Sequence, residues 1–249
     1  MTEIRTIRDD EAETFLRLLC DVFDLDFERA KTVFRREPFF NVKCKWAAFE
    51  DGRMAACLTT VPIRFGELDG IGIAGVATLP DFRRRGLAES LINAAAPKPT
   101  PALLFATDER LYRRIGFQSV DEVISCPLPT TPERTAEPAA EPFVREQYQQ
   151  WASKDPRRLA RDAKRWEYWG FTMKSPIGIR GGYAVLEKER VRELLPEFQP
   201  VPAQTPVEWL GLRSMAEHLQ IPVENEQVTM TLMARSLGFL PQMFLTDQF

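Results

Sequence analysis

Apolar positions along the chain predict buried strands separated by helices of amphipathic spacing. Residues 71–79 are almost wholly apolar and too few to span a membrane, which predicts a buried strand. Pro80 and Asp81 end this strand, because proline has no amide proton to donate to a sheet. From Gly86 onward the apolar residues follow helical spacing, and the small residues at the helix start let a ligand approach the backbone closely. The stretch therefore predicts a strand, an arginine-rich turn and a helix.

The residues before this stretch predict the elements that lead into it. Alternation at residues 4–7 predicts a first strand, and the helical spacing that follows predicts two helices. Residues 45–49 and 54–63 flank Asp51-Gly52, a dipeptide typical of a hairpin turn. Three antiparallel strands are thus expected to precede the central strand.

The residues after the central helix predict the other side of the same sheet. Residues 102–106 predict the next short strand, and residues 109–114 fit a short helix with Gly116 just beyond its end. Residues 117–120 and 122–126 alternate, and together they predict a closing hairpin.

Composition changes after residue 126. Residues 127–142 carry five prolines and little apolar content, which predicts a semi-rigid linker or an edge strand. We therefore expect one domain over residues 1–126 and a second domain over residues 143–249.

The second half of the chain predicts further helices and strands. Asp155-Pro156 is a typical helix start, with aspartate as the cap and proline in the first turn. Thr205 begins a capping box for a helix that reaches Leu219. Residues 228–232 alternate and predict a late strand.

The helix expected from Asp155 carries basic residues followed by aromatic ones. The basic residues are Arg157, Arg158, Arg161, Lys164 and Arg165, and the aromatic ones are Trp166, Tyr168 and Trp169. This combination occurs on RNA-stacking surfaces. It also fits a helix with one solvated face and one core face, and we favour this second interpretation.

Composition and charge narrow the class of protein. The 249 residues are 44% hydrophobic and 28% charged, as in an ordinary globular chain. The net charge of -3 argues against a nucleic-acid-binding protein, whose surface is usually basic. No apolar run approaches the length of a bilayer span, and residues 1–13 are too charged for a secretory signal. We therefore expect no nucleic acid and no membrane among its partners.

Cysteine and histidine usage argues against a metal site. The 4 cysteines are scattered without the spacing of metal ligands, and the chain has 1 histidine, His218. A zinc site or a Ser-His triad therefore has few candidate residues. We expect no metal, reduced thiols and a cytoplasmic location.

The turn between the central strand and its helix is the main candidate for chemistry. The first amides of a helix have no intrahelical partner, and the macrodipole makes that end partly positive. Arg83, Arg84 and Arg85 lie immediately upstream, so the turn fits a pyrophosphate or a similar anion. A solvated turn without a ligand is the alternative at this point.

Two motifs in this order resemble the signatures of the GNAT N-acetyltransferase superfamily. Arg83-x-x-Gly86-x-Ala88 after an apolar strand is similar to the coenzyme-A loop of that superfamily. Residues 111–117 resemble its second signature, Tyr-x-x-x-Gly-Phe. The resemblance implies an α+β fold with a mixed α/β sheet, the GNAT-like acyl-CoA N-acyltransferase fold, with acetyl-CoA as co-substrate.

The chain as a whole resembles the first two domains of acetyltransferases of the enhanced-intracellular-survival type. In the second half this likeness rests on Tyr148, Leu159-Ala160-Arg161, Trp166 and Gly182-Tyr183. It implies a second, degenerate GNAT-like domain without a phosphate loop. The longer relatives carry a third domain whose terminal carboxylate is the catalytic base, and we expect this chain, which stops at Phe249, to lack that domain.

The resemblance also implies roles for individual residues. Along the pantetheine arm it places Val76, Ala77 and Thr78. Around the pyrophosphate it places Arg84, Arg85, Gly86, Leu87, Ala88 and Glu89. It places Thr107 and Asp108 beside the acyl chain, where the central strands splay apart, and it makes Tyr112 the general acid.

The implied function is transfer of an acetyl group from acetyl-CoA to a primary amine by direct attack. An aliphatic amine has a pKa of about 10 and must lose a proton first. The candidate bases are Asp24, Asp26, Asp108, a water chain and the Phe249 carboxylate. The carboxylates in the first helical connection favour a cationic small-molecule acceptor.

A second class of function stays open at this point. Since no base is evident, the chain also fits a catalytically inactive coenzyme-A-binding sensor or interaction module. A homo-oligomer is possible in either case.

Overall fold

The centre of the molecule is one mixed β-sheet, seen in a computed structural model that describes residues 1–173, 176–196 and 200–249. The strands of these residues are β1 (Thr2–Thr6), β2 (Lys45–Glu50), β3 (Arg53–Phe65), β4 (Leu68–Thr78), β5 (Ala102–Ala106), β6 (Gln118–Pro132), β7 (Arg134–Pro138), β8 (Ile177–Ile179), β9 (Gly182–Glu187), β10 (Arg190–Leu195), β11 (Pro200–Leu212) and β12 (Gln227–Arg235). Their helices are α1 (Ala12–Phe23), α2 (Phe27–Phe34), α3 (Leu87–Ala95), α4 (Arg110–Arg114), α5 (Glu141–Ala152), α6 (Ala163–Thr172) and α7 (Arg213–His218). This arrangement confirms the predicted mixed α/β sheet.

The sheet is continuous through both halves of the chain. Its strand order is β1-β2-β3-β4-β5-β12-β6-β11-β10-β9-β8-β7. The late strand β12 lies between β5 and β6, where Leu232 and Met233 are fully buried. Residues 127–142 supply the end of β6, all of β7 and the start of α5. The proposed domain limits stay a prediction, and the two halves share one sheet.

The predicted closing hairpin at residues 117–126 is wrong. The chain instead runs as the single strand β6, with Val123 paired to β12 on one edge and to β11 on the other. Because both partner strands come from distant parts of the sequence, β6 needs no turn at this place. Alternation alone does not show which strand will pair with it.

The predicted helix start at Asp155-Pro156 is also wrong. The Asp155 carboxylate accepts a hydrogen bond from the Arg157 amide, and the chain then runs extended up to the Asp162 cap of α6. Backbone hydrogen bonds from Leu159 to Gln242 and from Ala160 to Arg64 hold this extended segment. Long-range pairing therefore overrides the local capping signal.

The basic residues of this segment do not form a charged surface. Arg158 and Arg165 are buried, and the side chain of Arg161 is fully enclosed. Helix α6 does have one solvated and one core face, with Lys164 exposed and Trp166 buried. The favoured interpretation, with one solvated face and one core face, thus holds for α6.

The predicted helix from Thr205 to Leu219 is wrong as well. Strand β11 occupies residues 200–212, and α7 begins only at Arg213. Val207 and Trp209 face the core, where they lie opposite Leu128 and Cys126 of β6. Burial of these alternate residues favours a strand. The side chain of Thr205 lies outside the described residues.

Helix α3 is fixed against the first strands of the sheet. Leu87, Leu91 and Ile92 pack in one buried cluster with Ala56 and Leu58 of β3. This packing sets where the helix begins.

In the described part of the chain, no helix is both long enough and apolar enough to cross a membrane.

We expect the stability of the protein to fall in acid partly through Glu11. Its carboxylate accepts hydrogen bonds from Arg5 Nη1 and Nη2 at 2.7 and 2.8 Å, and these lower its pKa to about 2. A carboxylate whose pKa is lowered in the folded state stabilises the protein at pH values above its pKa in the unfolded state. This stabilisation is lost as the pH falls towards the pKa in the folded state. The loss for Glu11 therefore falls between the ordinary pKa of 4.5 and about 2.

The measurement is the free energy of unfolding in urea at several pH values. Glu11→Gln should destabilise the protein by about 2–3 kcal/mol at pH 7, and the difference should shrink towards pH 3. Glu3→Gln is the control, because Glu3 contacts the same arginine from a side chain that is 62% exposed. A difference for Glu11→Gln that does not change with pH would contradict this account.

Candidate active site

The N terminus of α3 is open and uncapped. Gly86 precedes the helix with φ = 77°, a left-handed conformation that favours glycine, and no described side chain caps the first turn. A Cβ atom added to Gly86 would meet nothing within 4 Å, so the space in front of the helix is free of protein atoms there. Unpartnered amides and the positive end of the helix dipole therefore face an accessible volume.

The central strand β4 contains a β-bulge and then separates from β5. Ala74 lies opposite Thr59 and Ala77 opposite Cys57, so two residues of β4 face one residue of β3. Parallel pairing with β5 runs only from Ile71 to Ile73. Beyond that point the strands diverge, which opens the sheet at its centre.

A first cavity of about 820 Å³ covers the start of α3 and one side of this opening. The predicted site residues that line it are Val76, Thr78, Arg84, Gly86, Leu87, Ala88, Glu89, Asp108 and Tyr112. The turn, the bulged strand and α4 thus meet around one volume.

Three of the predicted residues lie elsewhere. Ala77 is buried in the core beside α1, and Thr107 lines a second cavity instead. Arg85 turns away, since its Nη2 donates to the Asp81 carbonyl at 2.8 Å and its guanidinium lies over the Phe82 ring. Its neighbours Arg83 and Arg84 both line the first cavity, and Arg84 has φ = 63°.

The second cavity, of about 380 Å³, lies on the other side of the opening between β4 and β5. It shares Val76, Asp108 and Tyr112 with the first cavity, so the two volumes meet at these residues. Sequence reasoning named the carboxylate of Phe249 as a candidate base, but it missed other lining residues, among them Phe23, Met230 and Gln248.

Phe249 lines this cavity because Gly72 of β4 leaves room for its ring. A Cβ atom at Gly72 would lie 2.7 Å from the Phe249 ring, so any larger residue at position 72 would displace that ring. The ring also packs against Phe105, with the ring centres 5.7 Å apart. In the sequence, Gly72 within an otherwise apolar strand is the one signal for this contact. It does not show that Phe249 is the residue that packs there.

Tyr112 lies where the two cavities meet. Its ring packs edge-on against the ring of Phe117, with the ring centres 6.2 Å apart. Tyr112 lines both cavities. Burial raises the pKa of the phenol, and the charge of Asp108 raises it further. Tyr112 is therefore a protonated hydroxyl group throughout the neutral range.

The aspartates that were candidate bases are poorly suited to that role. Asp108 is held by Arg110, whose hydrogen bonds lower the pKa of the carboxyl to about 2. Asp26 caps α2 by accepting a hydrogen bond from the Arg29 amide at 2.6 Å. Neither Asp24 nor Asp26 lines the first or the second cavity.

Comparison with known proteins finds a family match over the first half of the chain. Residues 3–120 match the family described as an acetyltransferase (GNAT) domain. Over these residues the chain is similar to a GNAT domain. This confirms the superfamily inferred from its two motifs, and it supports acyl transfer as the general reaction. No curated protein is similar enough in sequence to match the chain.

Solved structures extend the likeness in fold to nearly the whole chain. A GCN5-related N-acetyltransferase from Anabaena variabilis is 18% identical, with a TM-score of 0.68 over 94% of this chain and 72% of that one. One from Kribbella flavida is 14% identical, with a TM-score of 0.71 over the same shares. Eis1 from Mycobacterium abscessus is 14% identical, with a TM-score of 0.61 over 93% and 73%. At these identities the likeness shows a shared GNAT-like fold and nothing about the acceptor.

Proposed function

We propose that the protein is an N-acetyltransferase that transfers the acetyl group of acetyl-CoA directly to a primary amine. The observation that carries this proposal is the meeting of two cavities at Val76, Asp108 and Tyr112. One cavity covers an open helix start suited to a diphosphate, and the other offers a separate approach to the same point. The GNAT family match supports acyl transfer in general.

The residues around the first cavity fit coenzyme A. The uncapped amides at the start of α3 and the guanidinium of Arg84 provide donors and charge for the diphosphate. The Leu79 amide donates to Ala55 at 3.0 Å, so by alternation the Thr78 amide points to the opposite edge of β4. That edge is the one from which β5 has separated, and it suits the pantetheine arm. When bound, acetyl-CoA supplies the activated thioester.

Tyr112 supplies the proton that the departing thiolate needs. Its hydroxyl stays protonated because burial raises its pKa, and its position serves both cavities. A positioned general acid of this kind typically contributes about a hundred- to ten-thousandfold to the rate. We assign this role to Tyr112.

The amine reaches its reactive form by losing a proton to water. With a pKa of about 2, Asp108 is too weak a base to take a proton from an ammonium group. We assign the removal of this proton to solvent in the second cavity. This agrees with the water chain among the candidates for the base.

The experiment that tests the function is release of free thiol from acetyl-CoA across a panel of primary amines. Thiol release that depends on both the amine and the protein would support N-acetyl transfer. Thermal stabilisation by coenzyme A without thiol release from any amine would instead support the inactive coenzyme-A-binding module.

We expect Arg84 and Arg85 to differ in their effect on coenzyme-A binding. Arg84→Ala should raise the Kd about ten- to a hundredfold, because it removes a charge-assisted contact to the diphosphate. Arg85→Ala is the matched control and should change the Kd little, since Arg85 is held by Asp81 and Phe82 away from the cavity. The measurement is calorimetric titration of coenzyme A, and equal effects of the two substitutions would contradict the proposed position of the diphosphate.

A further inference from the structure

The second cavity is nearly free of side-chain charge. Of the 14 residues that line it, Asp108 is the one with a side chain ionised at neutral pH. The acidic residues of the first helical connection, Asp24 and Asp26, are not among them. The expected attraction of a cationic acceptor by those two carboxylates therefore has no basis in the geometry of this cavity.

The one side-chain carboxylate of the cavity already has a cationic partner. Arg110 Nε lies 2.9 and 3.1 Å from the two carboxylate oxygens of Asp108, and Arg110 Nη2 lies 2.5 Å from Oδ2. A second ammonium group entering the cavity would have to compete with this bidentate pair. Moving an unpaired charge out of water is unfavourable, so a polycation gains little from the carboxylate of Asp108.

The remaining walls are mostly apolar, and several are aromatic. Phe105 and Phe249 pack against each other inside the cavity, and Met230 of β12 adds a flexible apolar side chain. Phe23, at the end of α1, is 46% exposed and contributes a ring that solvent still reaches. An acceptor with an apolar group would bury that group against these side chains.

From this lining, and resting on the proposed function, we infer that the acceptor is a small primary monoamine that carries an aromatic or other apolar group. Its amine lies at the junction with the first cavity, beside Tyr112, and its apolar group lies against Phe105, Met230 and Phe249. The volume of about 380 Å³ suits a compact molecule of this kind. Polyamines and aminoglycosides are polycations, which this cavity disfavours.

The first test compares two amines of similar size on the intact protein with saturating acetyl-CoA. 2-Phenylethylamine represents the inferred class, and spermidine represents the polycations. We expect kcat/KM for thiol release to be at least about thirtyfold higher with 2-phenylethylamine, because its ring is removed from water. An equal or higher value with spermidine would overturn the inference while leaving acetyl transfer intact.

A binding measurement separates this inference from the proposed function. Each amine is titrated calorimetrically into the protein saturated with coenzyme A, where no transfer takes place. Tighter binding of 2-phenylethylamine supports the inferred class even if neither amine releases thiol, in which case the proposed transfer fails. Tighter binding of spermidine, or binding of neither amine, overturns the inferred class.

A substitution at the rim provides the third test. Phe23→Asp places a carboxylate at the exposed edge of the cavity, and it should shift the ratio of kcat/KM values towards spermidine by about tenfold through a lower KM. Phe171→Asp is the control, because Phe171 is 40% exposed on α6 and lines neither cavity. A ratio that stays unchanged in Phe23→Asp, or shifts equally in both variants, would overturn the placement of the acceptor.

Discussion

Replacing Tyr112 by phenylalanine is expected to lower kcat about a hundred- to ten-thousandfold while leaving the Kd for coenzyme A nearly unchanged. The substitution removes one oxygen atom and keeps the ring, which still packs edge-on against Phe117. The lost group is the protonated hydroxyl of a residue that lines both cavities. A general acid acts in the transition state, so its loss should appear in kcat and not in binding.

The measurement combines steady-state thiol release with calorimetric titration of coenzyme A and a thermal unfolding curve. An unchanged Tm and Kd would show that the variant keeps its fold and its cofactor site. Turnover equal to that of the original protein on a good acceptor would remove the assignment of Tyr112 as the acid. A fall caused entirely by a higher KM would make Tyr112 a binding residue instead.

Replacing Glu193 by alanine is expected to cost about 3–5 kcal/mol of folding free energy. Glu193 is fully buried and accepts hydrogen bonds from Arg161 at 2.9 and 2.7 Å and from Trp169 Nε1 at 3.0 Å. Tyr183 also donates to it at 2.5 Å, and Thr246 donates as well. The substitution leaves an enclosed guanidinium with Asp247 as its remaining carboxylate partner and leaves several buried donors unpaired.

The check is urea unfolding followed by tryptophan fluorescence. Glu208→Ala is the matched control, because Glu208 pairs with Arg190 at 3.1 Å on the surface, where such pairs contribute about 0–1 kcal/mol. Glu193→Gln keeps the shape of the side chain and gives a measurable variant if the alanine variant does not fold. A loss for Glu193→Gln as small as that for Glu208→Ala would contradict the structural role of the cluster.

Much of the first half of the fold follows from local sequence patterns. The hairpin of β2 and β3, the apolar strand β4 and the helix that begins after Gly86 all lie where periodicity and turn residues predict them. These elements depend on interactions among near neighbours in the sequence. The pattern fails where long-range pairing decides, as in β6, the extended segment after Asp155 and strand β11.

The candidate site likewise combines parts that local sequence patterns predict with parts that they do not. The open helix start and Tyr112 belong to local motifs, and both line the first cavity. The difference between Arg84 and Arg85 depends on the contacts of Arg85 with Asp81 and Phe82, which three consecutive arginines do not reveal. The walls of the second cavity come from α1, β12 and the last residues of the chain, so their meeting is a property of the folded molecule.

The position of β12 also bears on how the protein is made. On the ribosome a chain emerges from its N terminus, and its early segments commonly fold before the later ones exist. Here β5, which leads into the candidate site, obtains its second neighbour only when residues 227–235 have been synthesised. The edge of the sheet at β5 therefore stays unpaired until that strand exists, and the candidate site is complete only afterwards.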